Sequence, residues 1–162
     1  MTTKEYNQSV DRYSDNIFRF ILKSLRNEEL AKDIVQETFI KLWLKVEEVN
    51  AEKVKSWLFT AAYRTMIDQI RKEKKYGADL EDIPTAEMSS ASDNPDLNDL
   101  LHEALNTLPE KQKTVILLKD YEGYNYKEIG EMTNLSESQV KVYIYRGRKA
   151  LQAYLVSIDT LI

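Results

Sequence analysis

The chain has 162 residues, with 23 Lys and Arg against 27 Asp and Glu, one histidine and no cysteine. This composition excludes disulfides, thiolate or polyhistidine metal sites and a cysteine nucleophile. The net charge of −4 argues, taken alone, against a nucleic-acid partner, which a basic excess usually marks. The first residues lack the basic and apolar segments of a signal peptide, and no apolar run approaches the roughly 20 residues of a membrane span, so we expect no membrane insertion.

Residues 1–76 contain neither Gly nor Pro, which indicates helix over the whole stretch. Apolar spacing predicts a first helix over roughly 3–25, a second from the N-cap Asn27 to about Val46, and a third from about Val54 to Lys75. The positions expected to face the core are Val10, Tyr13, Ile17, Phe20, Ile21, Leu30, Ile34, Val35, Phe39, Leu42, Val46, Trp57, Leu58, Ala61, Ala62 and Ile70.

An acidic, proline-containing stretch follows. Residues 78–103 carry eight acids and no Lys or Arg, and all three prolines lie between 84 and 109. This composition predicts a flexible linker of about twenty residues joining two helical units. We expect the linker to disfavour nonspecific DNA binding by the free protein.

The C-terminal part is also predicted to be helical. A helix near 96–106 precedes one in which Pro109 takes the first helical position and which reaches about Lys119. Asn125 with Glu128, and Ser136 with Gln139, have the capping-box pattern and start two further helices. No strand pattern competes, so the fold class is all-α, with two small helical domains.

The basic residues are concentrated on either side of the linker. Residues 64–75 hold five bases against two acids, and residues 138–157 hold four bases and no acid. The net charge therefore averages over unlike parts of the chain, and it does not exclude local nucleic-acid binding.

Residues 126–145 fit a helix-turn-helix. Gly130 supplies a small residue where two helices cross, Asn134 tolerates a left-handed turn, and Ser136 caps the second helix. Val140 and Ile144, followed by Leu151 and Leu155, are the inward positions of that helix. The opposite face is free of carboxylates and comprises Ser138, Lys141, Val142, Tyr145, Arg146 and Lys149. Such a face favours DNA reading in the major groove over an ordinary solvated helix surface.

Two parts of the chain, one in each half, resemble bacterial sigma factors, especially the extracytoplasmic-function (ECF) group. LPEKQKTVILLKDYEGYNYKEIGEMTNLSESQVKVYIYRGRKAL (108–151) resembles their promoter-recognition region. DIVQETFIKLW (33–43) and SWLFTAAYRTMIDQIRK (56–72) resemble the domain that binds core RNA polymerase and opens the promoter. The resemblance implies a region-two-like domain over 1–76, an acidic linker over 77–97 and a region-four-like domain over 98–162.

The resemblance also implies partners: core RNA polymerase, through its beta-prime clamp helices and the beta flap, promoter DNA, and an anti-sigma factor. The helix holding the DIVQETF match would dock on the clamp helices. Without the resemblance, its polar face would be read as an ordinary solvated surface. The residues to which polymerase binding carries over are Asp33, Gln36, Glu37, Phe39, Ile40 and Trp43.

For the −10 element, the resemblance implies that the third helix and the loop at 47–53 hold a melted strand and an extruded base. Trp57 and Leu58 are better explained as core, whereas Tyr63 and Arg64 are expected to be more exposed. Many relatives carry Asn at the position of Arg64, and Arg only donates hydrogen bonds, so the base preference there is open. The predicted −10 residues are Tyr63, Arg64, Arg71, Lys72, Lys74 and Lys75.

For the −35 element, the resemblance carries base reading over to Gln139, Lys141, Val142, Tyr143, Tyr145 and Arg146. Phosphate contacts are assigned to Ser136, Ser138, Arg148 and Lys149. Relatives often have Ser at the position of Val142 and Arg at that of Tyr143. We therefore expect fewer hydrogen bonds to bases and more apolar or stacking contact.

The remaining features indicate packing rather than chemistry. Tyr121, Tyr124 and Tyr126 surround Gly123 and are expected to pack across the turn. His102 is expected to be a structural or a surface residue. No catalytic or phosphate-binding motif occurs, so we expect neither an enzyme nor a cofactor.

The prediction is a cytoplasmic ECF-type sigma factor. The alternatives are a helix-turn-helix repressor or activator with an N-terminal sensing or dimerisation domain, and a protein-binding helical adaptor.

Overall fold

The computed structural model describes residues 1–76 and 97–161, with side chains described for 1–73 and 99–158. Every regular element in these ranges is helical, which confirms the all-α prediction. The elements are α1 (Thr3–Leu25), α2 (Glu28–Leu44), a 3-10 turn (Ala51–Lys53), α3 (Val54–Tyr76), α4 (Leu97–Asn106), α5 (Glu110–Ile116), a π-helical turn (Leu117–Tyr121), α6 (Tyr126–Thr133) and α7 (Glu137–Leu161).

Local capping explains where the first helices begin and end. Thr2 and Glu5 form a capping box at the start of α1, and Arg26 ends that helix in the left-handed region with φ 54°. The Asn27 side chain accepts a hydrogen bond from the backbone N–H of Leu30 at 3.1 Å, as its predicted N-cap role requires. The buried core of this N-terminal domain is formed by Ile17, Phe20, Ile21, Ala31, Ile34, Phe39, Leu42, Val49, Val54, Leu58, Phe59, Ala62 and Met66.

The start of α5 differs by one residue from the prediction. Pro109 is the N-cap, because its ψ of 148° is extended, and the helix begins at Glu110. The expected continuous helix to about Lys119 ends at Ile116 and passes into the π-helical turn, where Glu122 N–H donates to Leu117 O at 3.0 Å. The wider turn directs the chain toward α6.

The two domains pack against each other. The Tyr124 ring, only 2% exposed, lies edge-on to Phe59 of α3 with the ring centroids 5.1 Å apart. Phe59 also contacts Phe20 of α1 at 5.7 Å. The tyrosine therefore packs across the two domains and not only across its own turn, which the sequence pattern did not indicate.

None of the described helices is both long enough and apolar enough to cross a membrane.

Candidate nucleic-acid interface

The helix-turn-helix has the close crossing that the sequence predicted. A Cβ built on Gly130 would lie 2.6 Å from the backbone oxygen of Leu135, so no larger residue fits without displacing the turn. Asn134 adopts the left-handed conformation with φ 60° and ends α6. Ser136 and Gln139 cap α7 reciprocally, at 3.1 Å from Gln139 N to Ser136 Oγ and 2.9 Å from Ser136 N to Gln139 Oε1. The close helix crossing, the left-handed turn and the cap together fix the direction in which α7 leaves α6.

The outward side of α7 presents a basic and aromatic surface to solvent. Val140 and Ile144 are buried at 0% and 2% exposure and hold the helix to the domain. On the other side, Tyr145 is 62% exposed and Val142 42%. The exposed residues that form this surface, called the α7 face below, are Ser138, Lys141, Val142, Tyr145, Arg146 and Lys149.

Three further −35 candidates are engaged within the protein. Tyr143 is partly buried against the core, and the Gln139 amide oxygen is used by the helix cap. Arg148 makes two hydrogen bonds to Asp120, at 2.5 Å to Oδ1 and 3.2 Å to Oδ2, and this contact raises the pKa of the guanidinium. These side chains therefore support the α7 face from behind or beside it.

Lys119 and Tyr126, which the sequence reasoning did not assign to DNA, lie beside the α7 face. The ammonium groups of Lys119 and Lys141 lie 4.8 and 5.5 Å from the ring centre of Tyr126. Such cation–π geometry holds both lysines near the N-terminal part of α7. A basic residue following an apolar run in the preceding helix was the only signal that could have identified Lys119.

The second predicted nucleic-acid surface lies on α3. Arg64, Arg71 and Lys72 are exposed, as expected, whereas the side chains of Lys74 and Lys75 lie outside those described. Between α2 and α3 runs a polar groove of about 280 Å³, bridged by Lys41, whose Nζ donates to Thr65 Oγ1 at 2.8 Å. The groove is lined by Glu37, Lys41, Thr65, Asp68, Gln69, Arg71 and Lys72.

Tyr63 was expected to be more exposed than the core positions Trp57 and Leu58, and it is only partly exposed. Its side chain is partly buried, and its hydroxyl donates to Glu110 Oε1 of the C-terminal domain at 2.7 Å. Burial, followed by the interaction with Glu110, raises the pKa of the Tyr63 phenol. Leu58 is fully buried and Trp57 partly buried, in agreement with their expected core role.

The predicted polymerase-binding residues divide between surface and core. Asp33, Gln36 and Glu37 are exposed on α2. Phe39 is only 7% exposed, so its ring supports the helix from the core and is covered by the domain.

Large apolar side chains stand exposed at the end of α2. Ile40 is 53% exposed and Trp43 48%, with the Trp43 ring edge-on to Tyr6 at 5.1 Å. Leu44, which the sequence reasoning did not single out, is 76% exposed and extends the same apolar surface. Exposed apolar residues grouped at one helix end are typical of a protein-binding site.

Among the described residues, no group of acidic or histidine side chains is arranged to hold a metal ion. Nδ1 of His102 is buried without a hydrogen-bond partner. Burial, together with Arg26, Lys23 and Lys113, lowers the pKa of the His102 imidazole. A neutral histidine in this position is consistent with the expected structural role.

Comparisons with known proteins identify the family of both halves of the chain. The family model of Sigma-70 region 2 matches residues 10–76, and that of Sigma-70, region 4 matches residues 98–151. The RNA polymerase sigma factor SigV of Bacillus subtilis is 36% identical over 149 residues, covering 91% of this chain and 89% of that protein. The chain belongs to the ECF RNA polymerase sigma factors.

A further relative and a solved structure are also sigma factors. The ECF RNA polymerase sigma factor SigM of Bacillus subtilis is 30% identical over 145 residues, covering 87% of this chain and 89% of that protein. The fold is that of the sigma factor RpoE solved in complex with the anti-sigma factor NepR from Bartonella quintana, with a TM-score of 0.76, 22% identity and coverage of 94% and 98%. The chain is thus an alternative sigma factor that directs transcription initiation, and the repressor alternative is not favoured.

Proposed function

We propose that the α7 face reads the −35 element of the promoter while α3 holds the −10 element. The observation that carries the proposal is the α7 face itself, which is exposed, basic, interleaved with Val142 and Tyr145, and free of carboxylates. A helix of this kind fits the major groove, with base edges reached from its N-terminal half. Val142 and Tyr145 supply apolar and stacking contact, and Lys141, Arg146 and Lys149 supply positive charge.

The −10 assignment rests on the exposed bases of α3. Arg64 lies next to the partly buried Tyr63, and Arg71 and Lys72 follow two helical turns later. Basic side chains spaced in this way can contact successive phosphates of a single strand, while aromatic rings stack on its nucleobases. Lys74 and Lys75 continue the same basic sequence and are proposed as phosphate contacts.

The polymerase surface is proposed on the outer side of α2. Exposed acids and amides, Asp33, Gln36 and Glu37, lie beside the exposed apolar residues Ile40, Trp43 and Leu44. An apolar centre with a polar rim is the usual composition of a protein interface. We assign this surface to the beta-prime clamp helices of core RNA polymerase and the C-terminal domain to the beta flap.

The domain organisation proposed here is 1–76, 77–97 and 98–162, with the acidic linker in the middle. Each small domain binds DNA weakly alone, and polymerase would supply the effective concentration that makes their joint grip tight. The protein would act in the cytoplasm without enzymatic activity of its own. Because one solved structural neighbour is the sigma factor RpoE in complex with the anti-sigma factor NepR, we also propose an anti-sigma partner.

Site-specific crosslinking in the reconstituted holoenzyme tests the two DNA assignments. A photoreactive amino acid at Val142 is expected to crosslink to the −35 region of a promoter, and one at Arg64 to the −10 region. An exposed position on α1, Asp11, lies on neither surface; it is the control and should give no promoter crosslink. Crosslinks of Val142 outside the −35 region would refute the assignment of α7.

A further inference from the structure

The tryptophan at the end of α2 is supported by a tyrosine of α1. Trp43 is 48% exposed, and the ring of Tyr6 lies edge-on to it, with the ring centroids 5.1 Å apart and the ring planes at 66°. Tyr6 itself is partly buried and packs against the core of the N-terminal domain. Part of the indole is therefore covered by the protein, while the rest of it is open to solvent.

The hydroxyl of Tyr6 makes a second contact with the same turn of α2. It donates to the backbone oxygen of Phe39 at 2.9 Å. The hydrogen-bond pattern of the helix gives that oxygen the N–H of Trp43 as its other donor, and a carbonyl oxygen can accept two hydrogen bonds. Burial raises the pKa of the Tyr6 phenol, so the hydroxyl stays protonated and available as a donor. Tyr6 therefore contacts both the ring of Trp43 and the helical turn that carries it.

An exposed tryptophan without such support would be poorly ordered for binding. Its neighbours Ile40 and Leu44 are 53% and 76% exposed, and a free indole can rotate about its side-chain bonds to cover these apolar groups. Ordering a mobile side chain during association weakens binding, and a side chain that is already held in its bound conformation avoids this loss. The edge-on contact with Tyr6 restricts the indole and leaves its outer surface available to a partner.

We propose that Tyr6 is a positioning residue for polymerase binding, which holds the Trp43 ring in the orientation that core RNA polymerase binds. The proposal rests on the proposed function, because it requires that the end of α2 is part of the polymerase surface. It adds a residue of α1 to those that determine the affinity for polymerase. Tyr6 acts through Trp43, so its effect does not depend on a contact of its own with polymerase.

Another tyrosine of α1 provides a matched control. Tyr13 lies about two turns further along the helix and is also partly buried against the core, and its ring pairs with the guanidinium of Arg12 at 5.6 Å. Tyr6→Leu removes the ring that contacts Trp43 and keeps an apolar side chain in its place. Tyr13→Leu makes the same change at a tyrosine of similar burial. Tyr6→Phe keeps the ring and removes only the hydrogen bond to Phe39.

Time-resolved fluorescence anisotropy of the free protein measures how firmly the indole is held. The chain has two tryptophans, so Trp57→Phe leaves Trp43 as the only fluorescent indole. In this background, and with Tyr6→Phe added, we expect the Trp43 anisotropy to decay with the tumbling of the whole protein. With Tyr6→Leu added, a large part of the anisotropy should be lost within about a nanosecond, the time of side-chain motion at exposed positions. Tyr13→Leu should leave the decay unchanged.

Equilibrium binding of the full chain to core polymerase measures the consequence. We expect Tyr6→Leu to weaken binding about two- to tenfold, and Tyr6→Phe and Tyr13→Leu to bind within about twofold of the native protein. A double-mutant cycle with Trp43→Ala shows whether Tyr6 acts through the tryptophan. Trp43→Ala alone should weaken binding about tenfold or more, and Tyr6→Leu added to it should cause no further loss.

Urea unfolding of each variant separates a loss of affinity from a loss of folded protein. If Tyr6→Leu does not fold, Tyr6→Met, which also lacks the ring, replaces it with the same expectations. Equal losses of affinity in Tyr6→Leu and Tyr13→Leu, additive losses in the cycle, or an unchanged anisotropy decay in Tyr6→Leu would overturn the positioning role of Tyr6. Native affinity in Trp43→Ala would instead refute the proposed polymerase surface at the end of α2.

Discussion

Replacing Gly130 by alanine should destabilise the C-terminal domain although alanine is the better helix former. In a helix interior, Gly→Ala usually stabilises by about 1 kcal/mol. At this position the new Cβ would lie 2.6 Å from Leu135 O, against 3.4 Å or more for an ordinary contact. The backbone must therefore move by about 0.8 Å at the residue immediately before the cap of α7.

The size of the effect follows from what this movement disturbs. Gly130 O accepts hydrogen bonds from Asn134 N, as the C-cap bond of α6, and from Leu135 N at 3.0 Å. Overpacking of a close contact costs about 1–3 kcal/mol, and each stretched hydrogen bond adds a fraction of about 1 kcal/mol. After subtraction of the propensity gain, we expect the free energy of unfolding to fall by about 1–2 kcal/mol.

Gly147→Ala is the matched control. Gly147 lies in α7, and its added Cβ would meet the far end of a side chain, Cδ1 of Ile116, rather than backbone. Urea unfolding followed by circular dichroism compares the two variants, and binding to a −35 duplex reports the orientation of α7. A Gly130→Ala protein as stable as the native one, with Gly147→Ala the more damaging change, would refute the reasoning.

Three further predictions concern electrostatics and the polymerase surface. Burial lowers the pKa of Lys113 to about 8, from an ordinary value of 10.5. Between pH 8 and 10 the unfolded chain therefore binds more protons than the folded one, and the free energy of unfolding rises with pH. The urea midpoint should increase over this pH range, and Lys113→Met should reduce that increase. Asp120→Asn removes the charged partner of Arg148, so binding to a −35 duplex should tighten. The slope of log K against log salt should steepen by up to about 0.9, because the freed guanidinium can contact one more phosphate. An unchanged slope would show that Arg148 makes no phosphate contact. Leu44→Ser should weaken binding to core polymerase without lowering the free energy of unfolding. Val156→Ser, at another exposed apolar site on α7, should leave polymerase binding unchanged. Equal losses of polymerase affinity in the two variants would show that the end of α2 is not the polymerase-binding surface.

The elements that the sequence predicted well are those with local signals. Asn27, Asn125 and Ser136 cap helices through atoms three residues away, and Asn134 turns the chain by its own backbone conformation. Such signals lie within a few residues and depend little on the rest of the fold. The exposed α7 face was equally predictable, since helical spacing alone separates it from Val140 and Ile144.

The contacts between distant parts of the chain were not predictable in this way. Tyr63 and Glu110 are 47 residues apart, and Arg19 and Glu122 are 103 apart, so no periodicity or motif connects them. Gly147 also gave no signal, because its close approach to Ile116 depends on how α7 crosses α5. The acidic linker over 77–97 was predicted from composition, and almost all of it lies outside the described residues.

The net charge of −4 shows how a whole-chain average can mislead. The α7 face and the exposed end of α3 carry local basic excess, and the eight acids between 78 and 103 offset it in the total. Electrostatic arguments about nucleic-acid binding therefore apply to surfaces, since screening limits each interaction to about 8–10 Å at physiological salt.

In vitro transcription with core RNA polymerase tests the central claim most directly. Run-off transcripts from a pooled library of genomic fragments would be sequenced with and without the protein. We predict that a defined set of promoters is initiated only when the protein is present, and that their start sites are preceded by shared −10 and −35 sequences. No promoter-specific initiation, together with protection of a palindromic operator by the protein alone, would contradict the assignment.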